Sequence, residues 1–548
     1  MADKKQIDGQ EVAQHDSRDK GVWIVVHGHV YDVTDFLDEH PGGSAIILQY
    51  AGKDATEEYE PIHPPDAITD NLDPSKHLGP LVPNSLPKPV VETQPPPPAS
   101  VQVPSKASSD GQTAEEYVKP PLEEILSLHD FEAVARRSMN RRGWNYYSSG
   151  ADDEITMREN HNAYHRVWFR PRIMRNVAKV DYSTTILGFK TSMPVYITAT
   201  ALGKLGHPEG EVVLTRAAGK HNIIQMVSVF RLRERHRPEI AQIPTLASCS
   251  FDEMVDAAIP GQTQFMQLYV NSDRARTKKI IHHAAERGVK ALFITVDAPQ
   301  LGRREKDMRT KFVGSASAQQ TKGGDAVQRD QGAARAISSF IDPSLNWSDL
   351  KELKDAAGDM KVVLKGVQCW EDAVIAAEAG VDGIVLSNHG GRQLDFAPSP
   401  LALLPSVVAA LTSGGFMTPH PTRPKFEIFV DGGVRRATDV LKALAMGATA
   451  VGIGRPMIYA MSTYGEEGVS KLFDILKDEF EMNLRLLGAP TIADVVPGMV
   501  DTSALNHAGG GGTMFEENCQ SGGQRRASAA DIKFSDERMR PVGVKAKL

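Results

Sequence analysis

Eight short runs rich in β-branched and aromatic residues recur between residues 195 and 454, with helical runs bearing one apolar face set between them. The runs are VYITATA (195–201), IIQM (223–226), FMQLYV (265–270), ALFITVDA (291–298), KVVLKGV (361–367), GIVLSNHG (383–390), FEIFVDGG (426–433) and AVGIG (450–454). Helical segments include 274–288, 370–380 and 437–447, the last two ending in Gly380 and Gly447 as helix C-caps do. This alternation requires parallel strands joined by crossover helices. Eight such units predict an α/β TIM barrel, (β/α)8, whose functional side chains gather at the C-terminal ends of the strands. An open, doubly wound sheet is the alternative that alternation alone leaves standing.

At 548 residues the chain exceeds what one ordinary core absorbs. Residues 1–81 are compact and mixed in character, whereas 82–118 contain PKPVVETQPPPPASVQVPSKASS, too poor in large apolar side chains to bury a core and suited to an extended tether. The expected organisation is an N-terminal α+β domain (1–81), a Pro-rich linker (82–118), the barrel (119–507) and a tail (508–548). A polar, Gly- and Gln-containing stretch at 315–336 reads as a long excursion over the strand ends. Lys and Arg (62) nearly balance Asp and Glu (69), and a net charge of -7 argues against nucleic acid as a partner. Cys249, Cys369 and Cys519 lie far apart, which argues against a disulfide framework or a Cys-rich zinc site. No apolar run approaches the roughly 18 residues of a membrane span. The polar N-terminus reads as neither signal peptide nor Arg-rich transit peptide. The final Ala546-Lys547-Leu548 is a near relative of the Ser-Lys-Leu peroxisomal address, with the cytoplasm as the default compartment otherwise.

In the N-terminal segment, VWIVVHGHVYDVTDFLDEHPGG sets His40 before Pro41-Gly42-Gly43 and the apolar run SAIILQYAG, and His63 follows 23 residues later in EEYEPIHPPD. Two neutral imidazoles from opposing helices suit a haem that transfers electrons, because with both axial positions filled oxygen has no place on the iron. A lone His-Pro-Gly-Gly also serves merely to cap a helix. The surrounding residues go further: 8–81 resemble the cytochrome b5 family, in which the His of HPGG and a second downstream His hold haem b. By that resemblance His40 and His63 are the metal ligands, and the EPIHPPD context resembles the haem domain of the flavocytochrome b2 family more than that of ordinary b5 proteins.

In the barrel segment, SNHGGRQLD spaces His389 and Arg392 three residues apart near the end of the sixth strand. An imidazole accepts a proton near neutral pH and holds it as a cation. A guanidinium fork grips a carboxylate with two parallel hydrogen bonds. A base beside a carboxylate anchor is what oxidation of a 2-hydroxy acid requires, although either residue alone is commonly structural. Asp297 ends the fourth strand in TVDAP, suited to orient His389 and stabilise its imidazolium, and Arg304 adds positive charge seven residues on. Lys365 ends the fifth strand, where an ammonium stabilises negative charge developing on a reduced flavin. VDGGVRR (430–436) and GIGRP (452–456) put Gly-rich turns ahead of helices after the seventh and eighth strands. TIM barrels bind phosphate there through backbone N–H groups and nearby arginines, here Arg435 and Arg455.

Together, over about residues 125–500, these motifs resemble the FMN-dependent 2-hydroxy-acid dehydrogenase and oxidase family, which includes glycolate oxidases and the flavin domain of flavocytochrome b2. The resemblance implies Tyr146 and Arg392 on the substrate carboxylate, Tyr269 on the substrate hydroxyl, and His389 as a base supported by Asp297. It implies flavin contacts from Thr198, Thr200, Gln267, Thr295, Lys365 and Ser387, and a cofactor phosphate site from Asp431, Gly432, Gly433, Arg435, Gly454 and Arg455. Leu246 and Ala201 match positions lining the pocket for the substrate's side chain. Leu246 stands where glycolate oxidase carries Trp, and the expected preference is for short-chain L-lactate over aromatic hydroxy acids. With the haem segment, the implied activity is oxidation of L-lactate or a similar small L-2-hydroxy acid on FMN, with electrons passing to haem b and then to cytochrome c. The same resemblance implies a homotetramer and the mitochondrial intermembrane space. An oxidase that returns electrons to O2 and a non-catalytic haem- or flavin-binding protein are the rival readings. Removal of the proton from carbon and from oxygen are equally compatible with these residues.

Two departures from the family pattern stand out. Pro244 occupies the position where relatives carry a flavin-facing Ser. Residues 227–242, VSVFRLRERHRPEIAQ, form an extra segment at the end of the second strand, and joining Met226 to Ile243 restores QMIPTLASCS, a passage like the family's. Its charges cannot be buried unpaired beside a flavin. The segment is therefore either a solvated surface loop or a translated intron, and the clean join favours the intron.

Overall fold

The computed structural model describes residues 6–40, 44–59, 63, 67–83, 85–87, 117–229, 248–310, 341–419 and 425–508. The 315–336 excursion, linker residues 88–116, the tail beyond 508, Leu246, Pro244 and residues 230–242 of the extra segment lie outside them. The chain divides into two compact units: Met1–Tyr59 with Asn71–Pro120, and Glu60–Asp70 with Pro121–Leu548.

The first unit is built on an antiparallel sheet of β1 (Asp16–Ser17), β2 (Gly21–Val26), β3 (His29–Asp32) and β4 (His77–Pro80), ordered as in the sequence. His27 (φ 50) and Gly28 (φ 72) form the two-residue turn between β2 and β3, where both positions must be left-handed for the turn to match the twist of the strands. A short helix, Gly9–Gln14, starts where the Asp8 carboxylate accepts from Gln10 N at 2.9 Å. Val12, Val25 and Val30 are fully buried, with Leu78, Leu81 and Leu86 packed against them. The chain stays on this unit past the boundary expected at 82, since Val82 N donates to Ile7 O at 2.9 Å and Gly9 N to Ser85 Oγ at 2.7 Å.

The second unit is a closed, all-parallel barrel, which excludes the open sheet. Its strands are β5 (Val195–Ile197), β6 (Ile224–Val229), β7 (Gln264–Tyr269), β8 (Ala291–Thr295), β9 (Lys361–Val367), β10 (Gly383–Leu386), β11 (Glu427–Asp431) and β12 (Ala450–Ile453). Pairing of Val451 with Val195 closes the ring. All eight expected strands form, but β6 runs three residues into the extra segment: Val227, Ser228 and Val229 pair with Met266, Gln267 and Leu268. The expected helices appear as Arg274–Glu286, Trp370–Glu378 and Ala437–Ala445, with Gly380 (φ 72) and Gly447 (φ 108) just beyond the last two in the left-handed conformation that ends a helix. Three helices precede the barrel: α1 (Leu128–Ser138), α2 (Arg141–Ser148) and α3 (Ile155–His165).

Side chains alternate along a strand, so inward-facing residues form layers. The lower layer is solid. Tyr196, Phe265, Phe293 and Phe429 pack with Ile224, Met226, Val363, Val385 and Ala450, and a hairpin (Thr184–Ile186 with Phe189–Thr191) adds Ile186 and Leu187. Phe265 and Phe293 stack with centroids 5.4 Å apart, while Tyr196 meets Phe429 edge-on at 6.0 Å. Such pairs add about 0.5–1.5 kcal/mol each beyond burial. Two positions further along seven of the strands, the same parity delivers a polar layer: Thr198, Ser228, Gln267, Thr295, Lys365, Ser387 and Asp431, with Gly452 at the matching place on β12. The apolar floor thus fixes which residues face the site above it. No helix among the described residues is long and apolar enough to cross a membrane.

Candidate active site

Above the polar layer a cavity is lined by residues from most of the strand ends, among them Thr198, Thr200, Gln267, Tyr269, Lys365, His389, Arg392 and Gly454. His389 (φ 59), Gly390 (φ 65) and Gly391 (φ 74) are three successive left-handed residues that swing the imidazole over the barrel. For a non-glycine residue this conformation costs on the order of 1–3 kcal/mol and persists only where the surroundings impose it. One such restraint is the Ser387 hydroxyl, which accepts from His389 N at 3.0 Å.

The His389 ring lies between two partners. Its Nδ1 stands 3.1 Å from Asp297 Oδ1 and its Nε2 3.1 Å from the Tyr269 hydroxyl. A carboxylate only accepts, so Nδ1 carries the proton and the Nε2 lone pair faces Tyr269. Enclosure of the ring pulls the His389 pKa below the ordinary imidazole value; Asp297 opposes this, while Lys365 and Arg304 reinforce it. The ring is therefore a neutral base at neutral pH. For Asp297, burial alone would raise the pKa, but His389 and then Lys365 hold it below the usual carboxylate value. Burial, followed by Asp297, pushes the Tyr269 phenol up, so it remains a proton donor.

The residues expected at a carboxylate anchor lie together. Arg392 Nη1 donates to Tyr146 O at 2.7 Å, and its guanidinium carbon lies 4.8 Å from the Tyr146 ring centroid. Arg304 is buried behind it, with Nε 3.4 Å from Arg392 O; burial and then Arg392 bring its pKa down to about 10, so it stays charged at neutral pH. Neither arginine has an ion pair to a carboxylate among the described residues. A buried Arg304 beside a half-buried Arg392, with no carboxylate partner among the described residues, favours an anionic ligand.

At three of the residues expected on the cofactor the structure shows protein partners. Gln267 Nε2 donates to Thr295 Oγ1 at 2.8 Å and Lys365 Nζ to Ser387 Oγ at 3.4 Å. Thr295 and Ser387 thus stand behind the cavity wall and brace Gln267 and Lys365, the residues that do line it. Arg455, expected on a phosphate, donates through its three nitrogens to Tyr147 O (2.8 Å), Gly390 O (2.8 Å) and Ser149 O (2.9 Å), tying the loop after α2 to the His389 loop. Lys365 Nζ also lies 3.7 Å from Asp431 Oδ2, and Arg435 Nε 3.1 Å from Glu132 Oε2. Gly432 (φ 92) and Gly433 (φ 83) form the open turn beside them. The residues present fit FMN: Arg455 brings a cation with no carboxylate ion pair among the described residues, the turn exposes backbone donors, and Thr198, Thr200 and Gln267 offer hydroxyl and amide partners.

Sequence reasoning missed Ser228, which lines the cavity and donates to Gln267 Oε1 at 2.9 Å; its parity with buried Met226 was the available signal. It also missed Tyr147, whose buried hydroxyl donates to Leu202 O. In the first unit, His40 is half-buried beside Phe36, with ring centroids 5.8 Å apart. His63 is also half-buried, and residues 60–62 and 64–66 around it lie outside the described residues. Pro41-Gly42-Gly43 lies outside the described residues.

The FMN-dependent dehydrogenase family matches residues 135–502, and the cytochrome b5-like heme/steroid binding domain matches residues 8–86. The chain is 50% identical to an L-lactate dehydrogenase (cytochrome) of Wickerhamomyces anomalus, over 90% of this chain and 80% of the relative. It is 37% identical to a peroxisomal (S)-2-hydroxyacid oxidase of Arabidopsis thaliana, over 70% of this chain and 98% of the relative. A solved structure of a doubly substituted flavocytochrome b2 with pyruvate bound is similar at a TM-score of 0.62 and 45% identity, covering 76% of this chain and 95% of that one. The chain belongs to the FMN-dependent dehydrogenase family, with FMN as the cofactor of its barrel and haem as that of a cytochrome b5-like domain.

Proposed function

We propose that this chain oxidises L-lactate, or a similarly small L-2-hydroxy acid, to the 2-oxo acid and passes the electrons through haem b to cytochrome c. The observation that carries the reading is His389, held between Asp297 and the Tyr269 hydroxyl at 3.1 Å each and facing the same cavity as Arg392 and Arg304. Arg392 and Tyr146 bind the substrate carboxylate, with Arg304 supplying further positive charge. Tyr269 meets the substrate hydroxyl. His389 Nε2 takes the proton, and Asp297 stabilises the imidazolium that results. FMN, when bound, accepts the two electrons of the substrate. Lys365, at the end of β9, would offer FMN an ammonium against the negative charge of its reduced form.

The cytochrome-type relative supports the haem-linked reading over the oxidase reading, because its match spans 90% of the chain, whereas the oxidase match spans 70%, about the length of the barrel domain. Rapid mixing of the purified protein with L-lactate tests it: haem reduction should follow flavin reduction and outpace oxygen uptake. Oxygen uptake with the haem left oxidised would overturn it in favour of an oxidase. No turnover with a dye acceptor would leave a binding protein, a reading against which the complete barrel counts. Ala201 lines the cavity, and a higher kcat/KM for L-lactate than for mandelate is expected, by about 1–3 kcal/mol per changed apolar contact. A homotetramer, expected from the family, is tested by sedimentation.

A further inference from the structure

No side chain of α3 lines the cavity, yet two of the loops that shape it rest on that helix. Asn160 Nδ2 donates to Asn388 Oδ1 at 2.7 Å, and Asn388 Nδ2 donates back to Asn160 Oδ1 at 2.7 Å. Asn388 completes its set by donating to Pro398 O at 3.0 Å and accepting from Gly391 N at 3.0 Å. Both amides are almost fully buried, at 2% and 1% exposure, and Asn388 immediately precedes left-handed His389. On the other side of Asn160 lies the Gly432–Gly433 turn. A Cβ on Gly432 would stand 3.1 Å from Asn160 Nδ2, and one on Gly433 only 2.0 Å from Asn160 O. The next residue, His161, meets Gly433 O through Nδ1 at 2.8 Å. The first turn of α3 is fixed to the same His389 loop, because the Asp395 carboxylate accepts from Ile155 N at 3.2 Å and Thr156 N at 2.8 Å.

We propose that Asn160 is a positioning residue that sets the His389 loop and the Gly432–Gly433 turn in one register, so that the base and the flavin phosphate site are aligned through a single buried amide pair. A side chain that merely filled space would leave the two loops energetically independent. A reciprocal amide pair with its hydrogen bonds made in a dry setting admits one geometry, and loss of either partner strands the other's polar atoms. The inference rests on His389 acting as the base, and the test separates the two ideas.

Full-length Asn160→Ala and Asn160→Ser are compared with Tyr164→Phe on the same helix, whose buried hydroxyl has no hydrogen-bond partner among the described residues. Each is assayed for FMN dissociation, for the rate of flavin reduction by L-lactate at saturating FMN, and for the pH profile of that rate. In Asn160→Ala both properties should move together: FMN binding weaker and reduction slower by about 10-fold each, the scale of one buried hydrogen-bonded group lost, with a displaced acid limb. Asn160→Ser should recover part of both, and Tyr164→Phe should change neither. If Asn160→Ala yields no soluble holoprotein, Asn160→Ser decides by the same criteria. Weaker FMN binding with an unchanged reduction rate and pH profile would overturn the proposal, as would unchanged FMN binding. A normal flavin reduction rate in His389→Gln would instead overturn the base assignment, whatever Asn160 does.

Discussion

Asp297 and His389 meet across 92 sequence positions, carboxylate Oδ1 to imidazole Nδ1 at 3.1 Å, and the Asp297 side chain has no exposure to solvent. This contact is the main one that keeps the ring basic, since enclosure, Lys365 and Arg304 all act to lower its pKa. The acid limb of kcat/KM for the holoenzyme should therefore lie below the ordinary imidazole value of about 6.5. In Asp297→Asn the opposing charge is gone while the three lowering influences remain, so the limb should move to still lower pH. Turnover should fall by about 10²–10⁴-fold as the base weakens and its tautomer is no longer fixed. Steady-state pH profiles of both proteins check the sign; a limb displaced upward would contradict it.

His389→Gln should retain FMN and bind substrate, because no flavin-wall residue named above depends on the imidazole. Turnover should drop by about 10²–10⁴-fold, the usual value of a positioned base. Flavin absorbance per chain and single-turnover reduction measure the two halves of this expectation separately.

His40→Ala or His63→Ala should abolish the low-spin b-type spectrum while leaving reduction of the flavin by substrate intact, since His389 and its partners lie in the barrel. Both histidines fall within the cytochrome b5-like match at 8–86, so the spectrum of each variant tests the ligand pair directly. A native spectrum in either variant would remove that residue from the iron.

For residues 227–242, β6 sharpens the question. The extra segment supplies Val227, Ser228 and Val229 to the barrel ladder, and the joined chain would offer Ile243, Pro244 and Thr245 for the same three places. Deleting 227–242 should preserve FMN occupancy and activity. It replaces the Ser228 hydroxyl that bonds Gln267, a net loss of about 0.5–1.5 kcal/mol. Peptides from within 227–242 in digests of the native protein would exclude a translated intron, and a peptide joining Met226 to Ile243 would establish one.

The strands were legible because period-two burial leaves an unmistakable pattern, as in Phe265, Gln267 and Tyr269 or Val363 and Lys365. The candidate base and anchor were legible because His389 and Arg392 share one short motif. The end of β6 was misjudged because Val227 and Ser228 resemble any strand residues and adjoin a charged run. Asn160 carried no signal: its partner is 228 positions away, and an Asn within a polar helix looks like a surface residue. Alternation places Thr295 and Ser387 in the polar layer, where they bond Gln267 and Lys365, but it gives the face of a strand and not the distance to a ligand.

The aromatic floor of the barrel has a kinetic consequence. With Tyr196, Phe265, Phe293 and Phe429 filling the lower interior, nothing passes through the barrel axis. Substrate and product must therefore come and go on the strand-end side of that floor. An acid still seated beside Arg392 would keep the next one out. Release of the product acid from that side is thus a step separate from the proton transfer at His389.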